Sequence, residues 1–344
     1  MKLTSHLFAA SSLALTWAVA EPAQPNPQMK AVLDKLGTLG GKPIETLTPE
    51  EARKQPSPAD AVKAILKEQN KPFPEKVAKV EDLTIPGRGG EIKARVYRPE
   101  GSGPMPVILY IHGGGWVIAD LDTYDSSARA LTNGAGAVLV SIHYRQAPEH
   151  PFPAAHEDSI DAYKWILKNG EKLGVDSKKI AVVGESAGGN LAASVSMMAL
   201  KENLQLPVHQ VLIYPIANTE TDTPSYIENA AAKPLSAAMM KWFLKHSLAE
   251  KSDATDPRVA LLKAKSFKGF PSTTIINAEI DPLLSEGKML ADRLEADGVK
   301  VTYKNYEGVT HEFFGMAAVV DEAKAANSLA SKNLKISLNT GSAE

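Results

Sequence analysis

A chain of 344 residues with 44% hydrophobic and 23% charged side chains can bury one large core and is too apolar for a disordered polymer. Thirty-eight basic against 40 acidic side chains give a formal charge of −2, so no net positive field draws nucleic acid regardless of its sequence. Cysteine is absent, which excludes disulfides, thiolate zinc sites, iron–sulfur clusters and cysteine nucleophiles together.

Residues 1–20 read as an address. Met1-Lys2 precede a mostly apolar stretch from Leu7 to Ala18, and Ala18-Val19-Ala20 has the small-x-small pattern of a signal-peptidase site. The stretch falls short of the roughly 20 residues needed to cross a bilayer. Cleavage after Ala20 and export, to the periplasm or beyond, are therefore expected, with no stable membrane insertion. Glu21 to Pro27 carries three prolines in seven residues and is expected to be a poorly ordered leader. Between Gln28 and about Asn70 the pattern is helical and broken. Met29, Val32, Leu33 and Leu36 share a face, and Thr48-Pro49-Glu50-Glu51 supplies an N-cap, a first-turn proline and a capping-box glutamate. Another helix is expected over Ala59–Glu68. These short amphipathic pieces cannot bury themselves, so residues 21–76 read as leader and N-terminal cap helices lying on something larger.

From about Val77 strands and helices alternate, the pattern of an α/β sheet. Two half-exposed antiparallel strands, Val80–Ile85 and Glu91–Tyr97, flank the turn Pro86-Gly87-Arg88-Gly89-Gly90. Six more continuously apolar strands follow at Val107–Ile111, Ala137–Ile142, Ile180–Val183, Val208–Tyr214, Thr273–Ala278 and Val299–Tyr306, as suits parallel strands covered on both faces. Helices are expected over Ala154–Lys168, Ala187–Leu200, Leu284–Ala296 and Ala317–Leu334. The gap between the sixth and seventh strands exceeds one crossover and holds an amphipathic helix over Met239–Leu248, so a catalytic domain of 77–338 would carry a cap insertion at about 217–255.

Gly184-Glu185-Ser186-Ala187-Gly188 follows an apolar strand and opens a helix, the context a Gly-x-Ser-x-Gly nucleophile elbow requires. His112-Gly113-Gly114-Gly115-Trp116 also follows a strand. Three consecutive glycines let main-chain N–H groups face a developing oxyanion, with Gly114, Gly115 and Ala187 as the expected donors. His112 itself is expected to brace the loop. In hydrolases with this elbow the acid and then the histidine follow the serine. Of the three later histidines, His209 begins a strand and His246 sits on the amphipathic helix beside Trp242, whereas His311 lies in a loop after the last strand, where a general base can reach the serine hydroxyl. Asp281, after the seventh strand, is the expected acid and also a candidate N-cap before Pro282. Glu279 is its rival, placed by strand parity to support the loop. Trp116 and Tyr214 are candidates for the substrate pocket.

His112-Gly-Gly-Gly, Gly184-Glu-Ser-Ala-Gly-Gly189, Asp281-Pro-Leu283 and His311-Glu-Phe-Phe314, with Tyr144-Arg145 and Ala147-Pro148-Glu149-His150-Pro151-Phe152-Pro153-Ala154, resemble the bacterial hormone-sensitive-lipase-like (family IV) esterases of the α/β-hydrolase superfamily. The resemblance spans roughly Val80 to Ala318. It implies an α/β-hydrolase fold, an eight-stranded mostly parallel sheet with a helical cap, and a cofactor-free, metal-free serine carboxylesterase acting on short- to medium-chain esters. Ser186 would be nucleophile, His311 base and Asp281 acid. The expected partner is a small-molecule ester, not nucleic acid, with the chain a monomer or homodimer. An acyltransferase or carbohydrate deacetylase with the same triad, or a non-catalytic ligand receptor on the same fold, are the alternatives. Two residues depart from the family pattern: Glu185, where aspartate or threonine is frequent, and Glu312, where glycine is common.

Overall fold

The computed structural model describes residues 23–340, so the expected signal peptide lies outside the described residues. Helix α1 (Pro27–Thr38) starts on Asn26, whose side chain accepts from the Met29 amide. Pro27 is thus its first helical residue, not the end of a poorly ordered leader, and the Asn26 amide is itself held by the Gly308 carbonyl at 2.8 Å. Helices α2 (Pro49–Ala52) and α3 (Pro58–Glu68) each begin on a capping box, Thr48 with Glu51 and Ser57 with Asp60. Arg53, at the end of α2, reaches the Val117 and Ala147 carbonyls and grips Glu149 with both ends of its guanidinium, which ties this segment to the rest.

Eight strands then form one sheet: β1 (Lys79–Gly87), β2 (Gly90–Arg98), β3 (Met105–Ile111), β4 (Val138–His143), β5 (Val175–Glu185), β6 (His209–Ile213), β7 (Ser272–Ile280) and β8 (Val301–Thr310). Their spatial order is β1-β2-β4-β3-β5-β6-β7-β8. The β1–β2 and β2–β4 pairs are antiparallel and all other neighbours are parallel. Between and after the strands lie α4 (Asp125–Ala135), α5 (Ala154–Leu173), α6 (Ala187–Lys201), α7 (Pro224–Glu228), α8 (Ala237–Ser247), α9 (Leu284–Ala296) and α10 (Asp321–Leu338). Alternation along β3 shows the layering. Val107, Leu109 and Ile111 join the core beneath α5, α6 and α9, while Ile108 and Tyr110 join the core beneath α1, α3, α4 and α10.

Several expected boundaries shift for identifiable reasons. β5 begins at Val175, not Ile180, because Gly174 ends α5 in a left-handed turn (φ +66°) and the chain pairs with β3 at once, shifting register between Pro106 and Val107. α10 starts at Asp321 rather than Ala317 because Phe313–Met316 first makes a tighter 3₁₀ turn. Leu283, not Asp281, is the N-cap of α9; Asp281 Oδ1 instead accepts from the Leu283 amide at 2.9 Å. Helices α7 and α8 lie between β6 and β7, and Trp242 of α8 donates its indole N–H to the Leu47 carbonyl at 3.1 Å, joining this insertion to the N-terminal segment. Among the described residues no helix is long and apolar enough to cross a membrane.

Candidate active site

The turn from β5 into α6 carries Ser186 at φ +56°, ψ −119°, a sparsely populated backbone state that lifts the side chain off the sheet edge. The turn closes so tightly that a side chain on either flanking glycine would collide: a Cβ on Gly184 would sit 2.0 Å from the Gly188 carbonyl oxygen, and one on Gly188 would sit 2.0 Å from that of Ile111. The Ser186 amide donates to the Ile213 carbonyl at 2.9 Å, which pins the turn to β6.

Ser186 Oγ lies 2.9 Å from His311 Nε2, and His311 Nδ1 lies 2.6 Å from Asp281 Oδ2. The three side chains are buried, and they meet because the ends of β5, β7 and β8 lie at one edge of the sheet. Burial opposes the charged imidazolium, but the charge and hydrogen bond of the Asp281 carboxylate, together with the charges of Glu312 and Glu185, outweigh it; the His311 pKa ends above the ordinary 6.5. Glu279 sits apart from this chain, accepting the Gly308 amide at 2.7 Å; Gly308 lies within β8, which runs to Thr310 where a loop was expected, so Glu279 holds the strand end that carries His311. His209 bonds Thr274 and Ser337, and the His246 ring lies tilted against that of Trp242; among the described residues neither histidine bonds Ser186.

Ahead of the serine, the loop after β3 presents Gly114 and Gly115 with positive φ (+94° and +58°). Among the described residues neither amide donates a main-chain hydrogen bond. Ala187, the third expected donor, is the first residue of α6, where the helix has no internal acceptor for its N–H. The loop is braced on both sides. The Tyr144 hydroxyl donates to the His112 and Gly113 carbonyls, and Ser247 Oγ donates to that of Gly115. His112 stacks on Tyr144 with ring centres 4.5 Å apart, and burial, with His143 beside it, drives its pKa down to about 3, so it is neutral.

Trp116 is buried and lines a recess with Phe152, His156, Leu248 and Val259. The Tyr214 ring, in contrast, lies 4.4 Å from that of His311. Its hydroxyl points the other way and donates to Glu185, which also accepts from Tyr110 at 2.5 Å. Burial first, and the Glu312 charge second, push the Glu185 pKa up to about 7, although both tyrosines pull it down. Tyr124 donates to Glu312 at 2.6 Å. The sequence reading named neither Tyr110 nor Tyr124. Tyr110 is readable only as a strand residue, and Tyr124 precedes α4, whose single large apolar residue is Leu131. Glu286 was likewise not singled out; it is buried at the start of α9 and accepts the Ala217 amide at 2.7 Å, fastening the chain after β6.

A sequence profile of the alpha/beta hydrolase fold matches residues 108–315. Ethyl acetate hydrolase from Pseudomonas putida is 34% identical over 308 residues, covering 87% of this chain and 94% of its own. Esterase LipI from Mycobacterium tuberculosis is 37% identical over 270 residues, covering 76% and 83%. Among solved structures, a hyperthermophilic esterase from the archaeon Pyrobaculum calidifontis superposes with a TM-score of 0.83 at 38% identity, covering 91% of this chain and 98% of that one. The chain belongs to the hormone-sensitive-lipase-like (family IV) esterases of the α/β-hydrolase superfamily and is a carboxylic ester hydrolase.

Proposed function

We propose that Ser186, His311 and Asp281 carry out this hydrolysis through an acyl-enzyme, on short- to medium-chain esters, in a protein exported and cleaved after Ala20. The observation that carries the reading is the continuous hydrogen-bonded chain from Ser186 Oγ through both nitrogens of His311 to Asp281. His311 Nε2 takes the hydroxyl proton as Oγ attacks the ester carbonyl. Main-chain N–H groups of Gly114, Gly115 and Ala187 receive the oxyanion, and such donors typically contribute about 2.7 to 4 kcal/mol each. The proton passes to the leaving alcohol; a water deprotonated by the same histidine then attacks the acyl group, and Ser186 regains its proton as the carboxylic acid leaves. Asp281 holds the Nδ1–H tautomer throughout.

The short-chain reading draws support from the relative named for ethyl acetate, an ester of a short acid and a short alcohol. We propose that the N-terminal helices and the α7–α8 insertion form the cap that limits acyl length, their mutual contact being the Trp242–Leu47 hydrogen bond. The test is a p-nitrophenyl ester series. Wild-type rates should fall as the acyl chain lengthens, and Ser186→Ala should lose at least about 10⁴-fold in kcat and escape fluorophosphonate labelling. Undiminished turnover in Ser186→Ala would refute the catalytic assignment, and a preference for long-chain emulsions would refute the chain-length one.

A further inference from the structure

Glu312, directly after His311, has a left-handed backbone (φ +69°, ψ 3°). A residue with a Cβ is strained there and glycine is not, and such strain persists where the surroundings enforce it, often at functional sites. What the surroundings enforce here is the placement of a carboxylate. The Tyr124 hydroxyl anchors Glu312 Oε1 at 2.6 Å, and the same oxygen lies 4.0 Å from His311 Nε2, the nitrogen that faces Ser186. Asp281 meets the ring at Nδ1. The imidazole therefore has a carboxylate near each nitrogen, one hydrogen-bonded and one held just outside hydrogen-bond distance.

The titratable groups facing this pair come from several elements: Asp281 from the end of β7, Glu185 from β5, Tyr110 from β3, Tyr124 ahead of α4, Tyr144 after β4 and Tyr214 after β6. All are acids or phenols, so a positive charge arising on His311 meets a field that favours it. Glu185 is fully enclosed, whereas Glu312 keeps 22% of its side chain exposed and is the better hydrated of the two carboxylates.

We propose that Glu312 is a positioning residue for His311: its carboxylate stabilises the imidazolium while the Ser186 proton resides on Nε2, and its charge sets the acid limb of the pH–rate profile. Glu312 neither gains nor loses a proton in the cycle. The proton moves from Oγ to Nε2 and leaves on the alcohol, and Glu312 acts only through its field on the intermediate charge. The inference rests on the Ser186–His311 assignment above.

Burial raises the Glu312 carboxyl above its ordinary 4.5, while the neighbouring imidazole and the Tyr124 hydroxyl pull it back. Removing a negative charge beside a base lowers the base's pKa, so the acid limb must move to lower pH. The test compares kcat and KM for p-nitrophenyl acetate over a range of pH in wild type, Glu312→Gln and Glu312→Gly. Glutamine keeps an oxygen that accepts from Tyr124, and glycine relieves the backbone, so the second variant keeps the test open if the first folds poorly. In both, the midpoint of the acid limb in kcat/KM should fall by about 0.7 pH unit or more, the influence of one charge at 4.0 Å even at the permittivity of water. Plateau kcat should drop about fivefold, a loss matching that charge's energy at this permittivity, with KM nearly unchanged. The pH dependence of fluorophosphonate labelling should shift in the same direction without any turnover. An acid limb that stays at the wild-type position in Glu312→Gln overturns the proposal, whatever Glu312→Gly does, because charge is the only feature that variant removes. If Ser186→Ala is inert and the limb is unmoved, this inference alone fails; if Ser186→Ala turns over ester, the catalytic assignment beneath it fails.

Discussion

Asp281 shows what one side chain does with two oxygens. Oδ2 holds His311 Nδ1 at 2.6 Å and Oδ1 holds the Leu283 amide at 2.9 Å, so a single carboxylate both orients the proposed base and closes the turn that carries it. Asp281→Asn keeps the shape and can keep an oxygen toward Leu283, but it turns an amide N–H toward the histidine and favours the wrong tautomer. Its kcat should fall about 10⁴-fold with a near-native melting midpoint, since the loss is one of proton placement and not of packing. A fall below tenfold in a well-folded variant would assign the acid elsewhere. The position of Asp281 was legible because it follows a strand and precedes a helix. Its exact local role was not, because whether an aspartate caps a helix or a turn depends on where the helix begins.

At the scale of elements, α8 and the glycine loop are one unit. A Cβ added to Gly115 would lie 2.2 Å from the ring of Phe243, and Ser247 of the same helix bonds the Gly115 carbonyl at 3.0 Å. The loop proposed to offer N–H groups to an oxyanion is thus pressed into shape by the insertion between β6 and β7. Gly115→Ala, unfavourable also at φ +58°, should cost about 10²-fold or more in kcat, the scale of losing one oxyanion donor. Phe243→Ala in the same chain should recover part of that loss by making room. If the double variant is no better than the single one, the backbone strain and not the contact is responsible. Elements with strong local patterns were readable: α9 runs from Leu284 to Ala296, as its apolar spacing indicated. Helix α4 was not, because Asp125–Ala135 is rich in small and polar residues and is stabilised by packing beside α10 in the same core layer.

Over the whole molecule, the buried histidines give the fold a pH signature. Burial holds His112, His156 and His209 neutral, with pKa values driven down to about 3, 4 and 4. A depressed histidine contributes stability that is complete above its unfolded pKa of 6.5 and is lost as pH falls toward the folded value. Glu185, raised to about 7, works oppositely: the fold favours its protonated form, so its penalty disappears as pH falls from 7 toward 4.5. His156→Gln isolates one contribution. Whatever it costs at pH 7, its deficit relative to wild type should shrink by about 3 kcal/mol by pH 4, read from denaturant unfolding at both pH values. An equal deficit at both would mean that His156 is not held neutral. The proposed export makes a further prediction: protein recovered from outside the cytoplasm should begin at Glu21 by mass spectrometry, and retention of Met1 would contradict cleavage.

The sequence by itself determined which residues could carry the chemistry. A strand, Gly-x-Ser-x-Gly and a helix specify the elbow through local backbone geometry alone, and the order of Asp281 and His311 behind it leaves little choice. The absence of cysteine also excludes a thiol nucleophile. Tertiary structure decided what surrounds them. Tyr124 and Glu312 are 188 positions apart, Phe243 reaches Gly115 from another element, and Tyr110, Glu185 and Tyr214 converge from three neighbouring strands and their ends. Contacts of that kind leave no period or spacing in the chain, because they are created by the order in which the strands pair and by the depth at which the sheet buries the charges it brings together.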